Sequence, residues 1–243
     1  MSEQTLFSIP GFADPFSSLT HLAGAAVFAV LSVPLLRHGW RAGHTPWRVT
    51  SLMIFAASAV FLLAMSGVYH MVETGGTARV VMQRLDHAGI FILIAGTFTP
   101  IHAILFKGPW RWGMLAFIWT LAIVGVTLKT IFFGITGTTL GLGLYVGMGW
   151  VGGLSMYAIW RRFGARMVLH LALGGVVYTI GAAIELVGPQ AVVAGVIRAH
   201  ELFHLAVLGG LAFHWRLVWV VTGHVGVRGG DLTCEQPPGE GGK

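Results

Sequence analysis

The sequence predicts an all-α polytopic membrane protein, a bundle of seven transmembrane helices, and three observations carry that prediction. Of the 243 residues, 55% are apolar and only 10% charged, and the mean hydropathy of +0.77 lies far from the balance of a water-soluble domain. Apolar runs of about 20 residues, the length needed to cross roughly 30 Å of hydrocarbon, recur along the chain. Charges, prolines and glycine clusters bound those runs.

Seven such runs emerge, at 17–36, 48–72, 87–106, 110–129, 138–160, 167–187 and 198–222. The second holds no charge from Val49 to Val72, and the third none from Ala88 to Phe106. The fifth holds Gly143, Gly147, Gly149 and Gly153, two small-xxx-small patterns expected to let helix backbones approach closely. The seventh contains Glu201 and Arg216, which must find partners or reach the interface. The expected organisation is therefore an N-terminal segment over 1–16, one membrane domain over 17–222, and a flexible tail over 223–243, rich in Gly and Pro. Met1 to Pro10 carries Glu3 and no basic cluster, so the first helix is expected to remain in the mature protein.

Charge and cysteine content narrow the chemistry. The net charge of +6 comes from Lys and Arg scattered through short inter-helix segments, which argues against nucleic acid as a partner. Cys234 is the single cysteine, so no disulfide framework or thiolate zinc cluster forms within one chain. A metal here must use nitrogen and oxygen ligands.

Seven spans place the start of every odd helix and the end of every even helix on the N-terminal face. Ser66 and His70 close the second span, Asp86 opens the third, and His200 and His204 open the seventh, so all five share that face. His21 and Glu185 fall there too. Residues four apart on a helix lie on one side, roughly 6 Å apart along the axis. Ser66 and His70 have that spacing, as do His200 and His204. Three imidazoles, His70, His200 and His204, are thereby able to converge on one zinc ion and leave a fourth position for water, the open arrangement of catalytic zinc. Asp86 and Ser66 are the candidate catalytic groups beside them, Asp86 holding the water or orienting a ligand and Ser66 contributing a hydroxyl. His21 is a reserve ligand, His87 points about 100° away from Asp86, and His102, His170 and His214 read as hydrogen-bonded interior residues. The segment HELFH over 200–204 also matches HExxH, in which a glutamate serves as general base, so Glu201 is a second candidate base behind Asp86.

The residues carrying this chemistry also carry a resemblance. LAMSGVYH (63–70), RLDHAGIFILIAGTFTP (84–100), GMGW (147–150), GGVVYTIG (174–181) and HELFHLAVLGG (200–210) resemble the hemolysin III family and, more distantly, the progestin and adiponectin receptor family of the same seven-helix metal-dependent hydrolase superfamily. The resemblance implies a zinc ion held by His70, His200 and His204, with Ser66 and Asp86 in the same pocket. It also implies hydrolysis of a lipid amide or ester, as in ceramide cleavage, and a multi-pass location in the bacterial plasma membrane. In the first helix the family usually carries an acidic residue and an asparagine before a Thr-His pair, and Asp14 and Ser17 stand there ahead of Thr20 and His21.

Two other readings use the same residues: a receptor or regulatory protein whose zinc is structural, and an ion or proton transporter or pore. A pore requires a wet path to the opposite face, where no matching intramembrane acids fall. A retinal protein is disfavoured by the absence of Lys from the seventh span. Orientation has two expectations. Of the fifteen Lys and Arg residues, Arg79, Arg84, Lys129 and Arg198 fall on the N-terminal face and the other eleven on the opposite one, so the positive-inside rule puts the opposite face in the cytoplasm. The resemblance implies the reverse, and reporter fusions at the C-terminus decide between them.

Overall fold

Proline starts and glycine stops delimit the helices. In the computed structural model, which describes residues 9–134, 137–188 and 197–224, eight helices form seven spans. They are α1 (Pro15–Arg41), α2 (Pro46–Met71), α3 (Thr77–Leu105), α4 (Gly108–Thr130), α5 (Thr138–Trp150), α6 (Gly152–Phe163), α7 (Ala165–Val187) and α8 (Ala199–His224). Pro15, Pro46 and Pro109 sit in first turns, where the missing N–H is no loss. Gly164, at φ 81, makes the turn between α6 and α7 that a side chain would strain.

The helices run longer than the apolar stretches that announce them. The third starts at Thr77, ten residues before its expected edge, so Asp86 lies more than two turns inside the helix instead of opening it. Residues 77–86 are too polar to count toward a lipid-crossing run, yet they continue the same helix above it. The fifth span divides into α5 and α6 at Val151, between Gly149 and the pair Gly152 and Gly153, where helix propensity is lowest. The last helix continues through Gly223 and His224, into the expected tail. The rest of that tail, 225–243, lies outside the described residues.

Burial ranks the helices. The most apolar stretch of α3 is 83% buried, against 22% for α1, α4 and α7, so α3 is central and those three line the rim. One core cluster joins α1, α2, α3 and α8 through Phe28, Phe55, Leu63, Leu93, Leu211 and Trp215, and a second joins α3, α4 and α5 through Phe91, Ile118 and Tyr145. On the rim, apolar side chains such as Val30 and Ile123 point outward, as a lipid solvent requires. His44, between α1 and α2, donates its Nε2–H to the Thr222 carbonyl at 2.9 Å and ties that connection to the end of α8. Burial pulls the His44 pKa down and favours the neutral ring.

Close helix approach occurs at glycines other than those expected. A Cβ on Gly143, Gly147, Gly149 or Gly153 would meet no atom within 4 Å, so these residues do not draw helices of this chain together. Gly143 and Gly147 face outward, while Gly149 and Gly153 line an internal cavity. One tight contact lies at Gly67 of α2, where a Cβ would come within 2.6 Å of the Leu22 side chain and 3.1 Å of its backbone nitrogen. The Ser18 hydroxyl donates to the Gly67 carbonyl at 2.8 Å across the same contact, one turn below His70. Gly67→Leu is therefore expected to destabilise the protein by about 1–3 kcal/mol through overpacking. Thermal unfolding in detergent checks this, with Gly147→Ala expected to leave the midpoint unchanged.

Candidate metal centre

At the N-terminal face, α2 ends and α8 begins side by side. The last turn of α2 presents His70, and the first two turns of α8 present His200 and His204. The Nε2 atoms of His70 and His200 are 3.3 Å apart, and those of His200 and His204 3.1 Å. One nitrogen from each of the three rings falls within 4.8 Å of the other two. Ligands around a tetrahedral zinc with bonds of about 2.0–2.1 Å lie roughly 3.4 Å from one another, close to these spacings.

The outward nitrogens explain why the inward ones face each other. His70 donates Nδ1–H to the Asp14 carboxylate at 3.1 Å, and His200 donates Nδ1–H to Glu185 at 3.2 Å. A neutral ring that donates from Nδ1 carries a bare lone pair on Nε2. Two such lone pairs therefore confront each other at 3.3 Å, a contact that a cation between them relieves. Carboxylate-oriented imidazoles of this kind are the usual support for histidine ligands. His204 Nδ1 is buried without a hydrogen-bond partner among the described residues, so no carboxylate orients this ring from behind.

Asp14 is the hub of the outer layer. Its carboxylate also accepts from Arg79 at 2.9 Å and Arg198 at 3.4 Å. Backbone bonds from Asp14 to the His70 carbonyl and from Ala13 to the Met71 carbonyl pin the segment ahead of α1 onto the end of α2. Burial pushes the Asp14 carboxyl up, but its bonds to His70 and Arg79 outweigh that and hold it well below the usual carboxylate range. Arg79 in turn donates to the Val72 carbonyl at 2.6 Å and stacks over Tyr69, which fastens the start of α3 to the same spot.

Asp86 and Ser66, the expected catalytic pair, lie on the same side of the bundle as the rings, with Asp86 within electrostatic reach of His70 and His200. Ser66 is buried. Glu201 has a different role from that of an HExxH glutamate. Its carboxylate accepts the backbone N–H of Arg198 at 2.8 Å and pairs with the Arg198 guanidinium at 3.0 Å. Arg198 precedes the first residue of α8 and Glu201 is the third within it, so the contact is half of a capping box. His21 stacks on His204 at 4.0 Å and points its Nε2 at the His204 carbonyl, 3.3 Å away, which backs the ring instead of joining the three. His87 points Nδ1 at the Gln83 carbonyl and lies outside the group.

This geometry spans the stretch that known proteins share with the chain. A family profile described as Haemolysin-III related matches residues 12–215, a range holding Asp14 and every residue of the centre. The chain belongs to the haemolysin III family. This family member is 31% identical over 198 residues to "Hemolysin-3" of Bacillus cereus, covering 81% of this chain and 85% of that one. It is 29% identical over 166 residues to "Hemolysin-3 homolog" of Bacillus subtilis, covering 68% and 74%. Similarity extends to "Heptahelical transmembrane protein ADIPOR2" of rice, 30% identical over 184 residues, covering 70% of this chain and 80% of the relative. The haemolysin III chain is thus a multi-pass integral membrane protein of the bacterial plasma-membrane type, with distant adiponectin receptor-like kin.

Asp14 and Glu185 are the residues that sequence reasoning left without a role. The available signal was their address, since Asp14, Glu73, Asp86, Glu185 and Glu201 are all the acids among the described residues and all belong to the N-terminal face. Asp14→Asn is expected to weaken the affinity of the three histidines for a divalent metal by about 10-fold to 100-fold, the usual effect of removing a carboxylate that orients a ligand. Competition with a chromogenic chelator measures it.

Proposed function

We propose that this haemolysin III family member is a zinc-dependent hydrolase of a lipid amide or ester bond, with chemistry like that of a ceramidase. The observation that carries the reading is the pair of Nε2 lone pairs held face to face by Asp14 and Glu185, with the third imidazole 3.1 Å away. His70, His200 and His204 are the proposed ligands. Three neutral imidazoles and no thiolate or ligating carboxylate match the donor set of catalytic zinc, which when bound supplies a polarised carbonyl and a water whose pKa falls towards about 7.

The chain's own residues carry the remaining steps. Asp86 is assigned the proton of the attacking water, and the Ser66 hydroxyl the task of holding that carboxylate towards the rings. Asp14 and Glu185 hold the imidazole tautomers fixed. The substrate's apolar portion has a ready site, a cavity of about 240 Å³ between α3, α5, α6, α7 and α8 that reaches Tyr145, Ala182 and Phe203. Phe203 sits between the two α8 histidines and that cavity, its ring 6.3 Å from each.

His70→Ala and His204→Ala are expected to lose bound zinc by elemental analysis of purified protein. Asp86→Asn is expected to keep zinc and lose about 10²-fold to 10⁴-fold in turnover of a ceramide and phospholipid panel, the range for a missing general base. Glu201→Gln retains the cap and is expected to keep its turnover. Zinc that raises thermal stability in a protein that turns over no lipid in the panel would establish a structural staple between α2 and α8 instead.

A further inference from the structure

The cavity has a second polar end. His102 on α3 and Ser155 on α6, 0% and 2% exposed, line it together with His214, on the side towards the opposite membrane face. His102 donates Nδ1–H to the Trp110 carbonyl at 3.1 Å, since a carbonyl oxygen only accepts. Its Nε2 is consequently the acceptor, and the Ser155 hydroxyl donates to it at 2.8 Å. Nucleophile, base and a third group that fixes the base's tautomer are thus in order, with a main-chain carbonyl where a carboxylate is more usual.

Many hydroxyls in the other helices follow a different rule. Ser32, Ser58, Thr97, Thr99, Thr179 and Thr222 each donate to a carbonyl about one turn back on their own helix. That local bond satisfies a hydroxyl in lipid without any partner helix. Ser155 departs from this pattern, directing its proton to an imidazole on another helix at the wall of a cavity.

We propose that Ser155 is a nucleophile activated by His102, a second reactive centre separate from the histidine triad, for carboxylic esters with an apolar acyl group. The Ser155 oxygen bonds to the acyl carbon as its proton passes to His102 Nε2. The same proton then goes to the departing alcohol oxygen as the ester C–O bond breaks. Water reverses the path, giving the free acid and the original serine, so no further reactant is needed. The apolar wall formed by Leu93, Ile94, Ile101 and Val176 selects an aliphatic acyl chain over a polar one.

The test uses the full-length protein in detergent and a long-chain alkyl fluorophosphonate, read by intact mass and peptide mapping. The expected result is one adduct per chain, on Ser155, with none on Ser155→Ala. His102→Gln should label about 10²-fold more slowly or less. Labelling should be unchanged in His70→Ala and after chelation, which keeps this outcome independent of the zinc reading. Both cavity variants are first shown to unfold within a few degrees of the wild type. A folded wild-type protein that takes no adduct on Ser155, or a His102→Gln variant that labels as fast as the wild type, overturns the proposal.

Discussion

Two imidazole lone pairs facing each other at 3.3 Å set the terms for the whole N-terminal face. With both rings neutral and no cation between them, the contact is unfavourable. Its persistence requires each ring to be held from behind. Asp14 holds His70 and Glu185 holds His200, so the geometry of the centre is decided by acids that do not point into it. Each acid is then itself a buried or half-buried charge in need of partners. Arg79 and Arg198 meet that need at Asp14, and Glu201 balances Arg198 while capping α8.

The consequence is a network that joins five segments of chain at one point. The segment ahead of α1, the end of α2, the start of α3, the end of α7 and the start of α8 all contribute to it. Such a junction explains why α3 carries ten residues of polar helix beyond its apolar run. Arg79 reaches Asp14 and the carbonyls at the end of α2 only because the helix extends that far. It also explains the demand for a small residue at Gly67, one turn below His70. A wider spacing between α1 and α2 would lift Asp14 away from the ring it orients.

What the sequence announced, and what it concealed, follows from the range of the forces involved. The span count and the pairs Ser66/His70 and His200/His204 were legible because both depend on local helical periodicity. The convergence of those pairs was legible because topology alone puts them on one face. The roles of Asp14 and Glu185 were not, since each acts across a gap of 56 or 15 residues that no periodicity spans. Glu201 was misleading for the opposite reason. HExxH and a capping box both place a glutamate at a fixed short offset, and only the 2.8 Å bond to the Arg198 N–H separates them. The glycines of the fifth span carried the small-xxx-small signal without the partner helix, because spacing records a capacity for close approach and not the neighbour that would use it.

The interior of the bundle obeys a stricter accounting than a water-soluble core. A hydroxyl in lipid is satisfied most simply by its own helix, as Thr97 and Thr99 are on α3. Hydroxyls that decline that option mark where the fold needs something else. Ser18 reaches across to the Gly67 carbonyl and locks α1 to α2. Ser155 reaches across to His102 at the far end of the cavity. The first of these is explained by packing, because it lies at a close helix contact beneath the site. Ser155 borders space open to a ligand and pairs with a group able to move a proton. Packing thus accounts for Ser18, whereas a serine that bonds to an imidazole at a cavity wall answers to a need other than helix packing.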